Sequence, residues 1–397
     1  MTIGNSKRAA DTILSRALFI MILFVAGLYA QDPNVYEEIV EPGPPGTLNN
    51  FIANDVFADE THPPSKYILR RGAIYLIDDG IKNVGWKMII EAEDGPGPRP
   101  IIQPQARPGG KEADYVINGQ GDLVLRGLRM HSYDNTFPPP GIPGHDAVVR
   151  VYVTDSCRVL IDDCILETNR QTGLRVMSWY NKVRVTHTTF RDLYAANDAS
   201  EGHILGWSGD VQDTLIFQNC TFYNSSLFSK GDYPQTNYFK IEHCTFVNLS
   251  GVPSDVQPDT LRPELLTETY TWGVINLGQT YKGVFRNNLL VNTGFCGAYD
   301  KPELMDQYIV NIDSTKDVQD TTGVTLAGPD GMDIRNNNIW MDPDLAGVYP
   351  DSIKPFDETM FYDPTAQLFI GAGRAGTLTN LPVSFVDAPR TPLEFVT

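Results

Sequence analysis

Four basic residues fall where they could share one surface. Arg150 and Arg175 sit in the segments AVVRVYV (147–153) and TGLRVM (172–177), His203 in GHILGW (202–207), and Lys230 beyond a further insertion. In the first two segments Val149/Val151 and Leu174/Val176 take the inward positions of an alternating strand, which leaves both arginines outward. Glu167, Asp192, Asp198, Glu201, Trp207 and Tyr233 form the expected rim of this basic ladder. Cations of this kind bind an anionic ligand, and catalysis at such a site needs neutralising charge beside a base of depressed pKa. Arg150, Arg175, His203 and Lys230 are thus the candidate catalytic groups. The rim residues are the candidate substrate contacts, with no metal ligand assigned. A solvated sheet face held by local ion pairs explains the same residues without chemistry.

Such a ladder needs strands stacked in register, and an internal repeat supplies them. Seven segments align without gaps: 122–132, 158–168, 182–192, 214–224, 238–248, 282–292 and 331–341. Their sixth residues are Gly127, Asp163, His187, Asn219, His243, Asn287 and Asn336, all types that tolerate a left-handed backbone. Two residues earlier stand Leu125, Ile161, Val185, Phe217, Ile241, Phe285 and Ile334. After the turn the inward set shifts by one, to Leu128, Cys164, Thr188, Cys220, Cys244, Asn288 and Asn337. Met130, Leu166, Phe190, Phe222, Phe246, Leu290 and Ile339 follow. Each unit therefore reads as strand, one-residue corner, strand. Successive corners lie 36, 24, 32, 24, 44 and 49 residues apart, so a bare coil of 24 carries loop insertions of varied length. The inserted loops expected to carry function are 131–146, 192–213, 224–237, 249–281 and 293–331.

This pattern resembles the right-handed parallel β-helix of the pectin-lyase-like superfamily over roughly residues 67–341. The expected fold is all-β, a solenoid with an N-terminal capping helix and long inserted loops. Residues 46–58 place Leu48, Phe51, Ile52 and Val56 at the spacing of that helix. The resemblance implies a polysaccharide partner. In the lyase branch cations hold uronate carboxylates, with Arg or Lys as base and Ca²⁺ often assisting; in the hydrolase branch two or three Asp groups flank the glycosidic oxygen. The motifs of neither branch are present: His203 follows Gly202 but precedes Ile204 rather than Gly, so no role transfers residue by residue. Three readings stand side by side: a polysaccharide lyase or glycoside hydrolase, a non-catalytic glycan-binding or adhesion module, and a purely structural extracellular solenoid.

Composition narrows these. The chain has 397 residues, 42% hydrophobic and 20% charged, with a formal charge of −18, which disfavours nucleic acid and anionic membranes as partners. Lys7, Arg8 and Arg16 precede an apolar run from Ala17 to Ala30, the pattern of a secretory leader cleaved after Ala30. The product is expected to be a monomer at the cell surface or beyond it, with no membrane span once the leader is gone. Domain boundaries follow as leader 1–30, N-terminal segment and cap 31–66, β-helix 67–341, and a C-terminal cap or irregular coils 342–397. His187 and His243 occupy corner positions and are read as turn residues. Cys164, Cys220 and Cys244 share one interior slot and are read as small packing side chains; a strained Cys220–Cys244 disulfide is the other reading.

Overall fold

The structure is a computed structural model that describes residues 35–55, 65–105, 113–132, 146–152, 154–169, 171–193, 202–207, 211–225, 227–230, 235–249, 275–276, 279–291, 293, 308–311, 318–319, 325–326, 331–340, 354–356, 362–363, 368–369 and 378–379. The expected leader, Val56 and most of residues 342–397 lie outside the described residues. From Glu37 onward the chain forms one compact unit. Among the described residues no helix is long and apolar enough to cross a membrane.

Three sheets of ten, ten and nine strands hold nearly all of the described strands. The first includes Leu123–Arg126, Arg158–Asp162, Lys182–Thr186, Val211–Gln218, Gln235–Glu242 and Gln279–Arg286. The second includes Arg129–His131, Ile165–Asn169, Thr189–Leu193, Thr221–Ser225 and Thr245–Leu249. The third includes Tyr115–Gln120, Ala147–Val151, Thr172–Val176, His203–Trp207 and Leu227–Lys230. The chain visits the three in turn, and each strand pairs in parallel with its equivalent one coil away. Register is direct: Val159 meets Val183, which meets Leu215. Identical positions therefore stack, as in a parallel solenoid.

Corners set this path. All seven predicted corner residues are left-handed, with φ between 50° and 65°. Two further columns turn the same way: Thr168, Asp192 and Asn224 near the ends of the second-sheet strands, and Gly85, Ser156 and Tyr180 before the first sheet. The inward columns pack a continuous core. Leu125, Ile161, Val185, Phe217, Ile241 and Phe285 are fully buried, as are Met130, Leu166, Phe190, Phe222, Phe246 and Leu290. Phe228 joins them from Leu227–Lys230, a strand inside what the sequence reads as insertion 224–237. Cys157, Cys164, Cys220 and Cys244 are buried free thiols, and burial pushes Cys164 up to about 12. That suits packing rather than nucleophilic work.

The helix Thr47–Ala53 buries Leu48 and Ile52, while Phe51 meets the Tyr67 ring edge-on at 6.2 Å. Gly46 precedes it at φ 86°, where a Cβ would come within 2.8 Å of the Asp78 carboxyl. On the outer side of the first sheet one column runs Glu91, Arg126, Asp162, Thr186, Gln218, Glu242, Arg286. Arg126 Nη1 donates to Glu91 Oε1 at 2.7 Å and Thr186 Oγ1 to Asp162 Oδ1 at 2.6 Å. Glu242 receives Lys240 Nζ at 2.6 Å, Arg286 Nε at 2.5 Å and Gln218 Nε2 at 3.0 Å. Burial alone would raise the Glu242 carboxyl, but Lys240 and Arg286 outweigh it and hold it at about 2 against an ordinary 4.5. Its ionised form then favours folding above pH 4.5, and that contribution disappears as pH falls toward 2. Glu242→Gln should therefore lower stability at pH 7 and flatten the acid limb of a urea-midpoint profile taken from pH 7 to pH 3. An unchanged acid limb would show that these partners do not bias the carboxyl.

Candidate functional site

On the third sheet Val151 and Val176 point into the core and Arg150 and Arg175 point out, in register on neighbouring coils. The same column runs on both sides, through Lys82 and Asn118 before them and Gly206 and Lys230 after. Asp146, immediately before its strand, joins the pair. Its Oδ2 lies 3.3 Å from Arg150 Nη1, and its Oδ1 accepts from Arg175 Nη1. The Asp146 backbone N–H donates to the Asp114 carbonyl at 2.7 Å, which fixes the carboxylate's approach. Arg150 Nε also reaches Asn118 Oδ1 at 3.2 Å. Its guanidinium carbon lies 4.4 Å from the Tyr115 ring centroid and 4.9 Å from that of Tyr152, within cation–π range of both. Two cations thus share one carboxylate, with their side chains part-exposed.

His203 lies one coil beyond, paired in register with Thr172, whose Oγ1 stands 3.0 Å from its Nε2. Gly206 is the residue in register with Arg175, and a Cβ there would sit 3.1 Å from Thr172 Cγ2 and 3.3 Å from the His203 ring. The imidazole therefore fills the space that a side chain at Gly206 would take in the arginine column. It is on the expected side, but buried. Lys230 is in register with Gly206; its side chain lies outside the described residues.

Trp207 is not on the rim. Period-two alternation places it in register with Val176, inward, 2% exposed, with its ring 6.1 Å from Phe239. Glu167 and Asp192 belong to the second sheet rather than to the arginine face. Asp198, Glu201 and Tyr233 lie outside the described residues.

Glu167 is the centre of its own network. It is 2% exposed, with one carboxylate oxygen accepting from Arg129 Nε and the other from Arg191 Nε. Arg191 Nη1 donates to Tyr223 Oη at 2.9 Å. Asp192 turns the chain at φ 55°, accepts from Asn224 Nδ2 at 3.1 Å and keeps its Oδ2 3.9 Å from Arg191 Nε. Burial pushes its carboxyl above the ordinary range; Asn224 and Arg191 oppose that, and the Glu167 charge adds to it. Sequence reasoning named the two acids and missed Arg129 and Arg191. The signal was present: Glu167, Arg191 and Tyr223 share one offset, four residues after the corners Asp163, His187 and Asn219. Asp146 and Tyr115 stand outside the repeat and had no such signal.

Among the described residues no group of three or more His, Cys, Asp or Glu comes together as a metal site. No protein-family model matches this chain, and no curated protein matches it.

Proposed function

We propose that this is an extracellular parallel β-helix of the right-handed, pectin-lyase-like kind that binds an acidic polysaccharide on the outer face of its third sheet. The observation that carries the reading is the Arg150–Arg175 pair on neighbouring coils, oriented by the shared Asp146. Coils are about 4.8 Å apart, so the pair presents guanidinium donors at a regular spacing along the solenoid. Guanidinium groups match carboxylates and sulfates through paired N–H donors. Asp146, Asn118 and Tyr115 fix the forks before a ligand arrives, which reduces the ordering cost of binding. Export is supported by the basic start and apolar run ending at Ala30.

A catalytic reading is favoured by a separate observation. Glu167 and Asp192 flank Arg191 Nε, the first paired with two arginines and the second pushed by burial toward its neutral form. A donor acid beside a carboxylate is the equipment of glycoside hydrolysis. Binding is the function the arrangement supports first.

The test is a panel of uronate-rich, sulfated and neutral polysaccharides, with and without Ca²⁺. Three quantities are read: retention in affinity electrophoresis, unsaturated products and reducing ends. The expected result is retention by an acidic polysaccharide that weakens with salt and falls about tenfold or more in Arg175→Ala. Retention by neutral glycans alone, or by none, would overturn the reading. Reducing ends that vanish in Asp192→Asn would establish the catalytic one.

A further inference from the structure

We propose that Tyr152 and Trp179, exposed where the chain leaves the third sheet, form a stacking platform for a sugar ring and extend the arginine site around that corner. This rests on the glycan reading of Arg150 and Arg175.

Exposure comes first. Trp179 is 40% and Tyr152 39% exposed, whereas Phe190, Phe217 and Trp207 are buried. The two stand on successive coils of one corner. Tyr152 directly follows Val151, which is in register with Val176, and Trp179 lies three residues after Val176. Trp179 is fixed through its backbone on both sides. Its N–H donates to Asp155 Oδ1 at 2.9 Å, and its carbonyl accepts from the Ser156 N–H at 2.8 Å. An exposed indole on a backbone held this firmly has less freedom to lose when a ring lies on it.

Backbone geometry points the same way. Tyr180 is left-handed at φ 58°, at a position where earlier coils carry Gly85 and Ser156. A bulky side chain there is an outlier, and such conformations persist where the surroundings hold them in place. The Tyr180 ring sits 5.9 Å from the Trp179 ring at 52°, which braces the indole from one side. A smaller residue would turn this corner at lower cost but would not support Trp179.

Continuity with the arginines decides the occupant. The Tyr152 ring stacks with the Arg150 guanidinium at 4.9 Å, so one edge of the platform is part of the cationic site. A pyranose offers an apolar C–H face to an aromatic ring and hydroxyls at its edge. A glycan whose acidic group is held by Arg150 and Arg175 would place a neighbouring sugar toward this corner. The Asp155 carboxylate, which accepts from the Trp179 backbone N–H, lies at the same corner.

The experiment uses the full chain and oligosaccharides of whichever acidic polysaccharide the wild type retains, compared as short and long fragments by calorimetry. Trp179→Ala and Tyr152→Ala should each weaken long fragments by about tenfold and leave the shortest bound fragment unchanged. Trp179→Phe should recover most of the loss. Arg175→Ala should weaken both lengths. Urea midpoints of the variants, read in parallel, identify any loss that is only unfolding. Long-fragment affinity unchanged in Trp179→Ala, with Arg175→Ala weakened, would overturn the platform and leave the glycan reading standing. No binding by the wild type would remove both. A self-association seen by sedimentation and abolished by Trp179→Ala, with glycan affinity intact, would make the patch a protein contact and overturn the proposal.

Discussion

Truncating Phe222 to alanine should lower the free energy of unfolding by about 4 kcal/mol, among the largest effects of any single core change. Its ring is fully buried and touches four others, with centroids 4.9 Å from Phe246, 5.1 Å from Phe228, 5.6 Å from Phe190 and 6.0 Å from Phe217. The cavity could not close, because the Thr221–Ser225 backbone is tied to Thr189–Leu193 on one side and Thr245–Leu249 on the other. Neighbouring coils would have to move together, and their own ladders resist it. Phe222→Leu leaves a smaller void and should cost less than half as much. Chemical denaturation followed by circular dichroism measures both. A loss under about 1 kcal/mol for the alanine variant would mean the interior relaxes far more than a stack of pinned strands allows.

Glu167→Ala should cost about 3 kcal/mol, for an electrostatic reason. The carboxylate is nearly inaccessible and both its oxygens are engaged, while the Arg129 and Arg191 side chains remain 38% and 26% exposed. Removing it leaves two like charges converging on an empty polar site. Their partial exposure lets water offset part of the penalty, which keeps the expected cost at the low end for a broken buried pair. Glu167→Met combined with Arg191→Met should be distinctly less damaging than Glu167→Ala, since only the more exposed Arg129 then lacks its carboxylate. A double-mutant cycle on urea midpoints gives the coupling. Additive effects would show that Arg191 and Glu167 stabilise the coil independently of one another.

Much of the architecture was legible because a left-handed corner restricts residue type. Gly127, Asp163, His187, Asn219, His243, Asn287 and Asn336 all come from the small set that tolerates it, and all turn as expected. Corners at Thr168 and Tyr180 were illegible for the converse reason: neither type favours that conformation, and surrounding packing imposes it. The strand Leu227–Lys230 was hidden because it is four residues long and lies inside what the repeat spacing reads as an insertion. Site residues suffered from a projection error. Alternation says whether a side chain points in or out, but a three-sided tube has three outsides. Glu167 and Asp192 point away from the core, yet over the second sheet, while Arg150 and Arg175 lie over the third. Trp207 failed on the simpler count, since its alternation with Val176 placed it inward.

The charged column outside the first sheet bears on how the chain finds its order. Inside, Ile90, Leu125, Ile161 and Val185 are nearly interchangeable aliphatics, so the core alone would accept a nascent strand that docked one coil too far along. Outside, the signs alternate from Glu91 to Arg126 to Asp162. An omitted coil would bring Glu91 against Asp162, two carboxylates with no cation between them. The surface thereby counts what the interior cannot, and penalises a miscount while the stack is still being laid down.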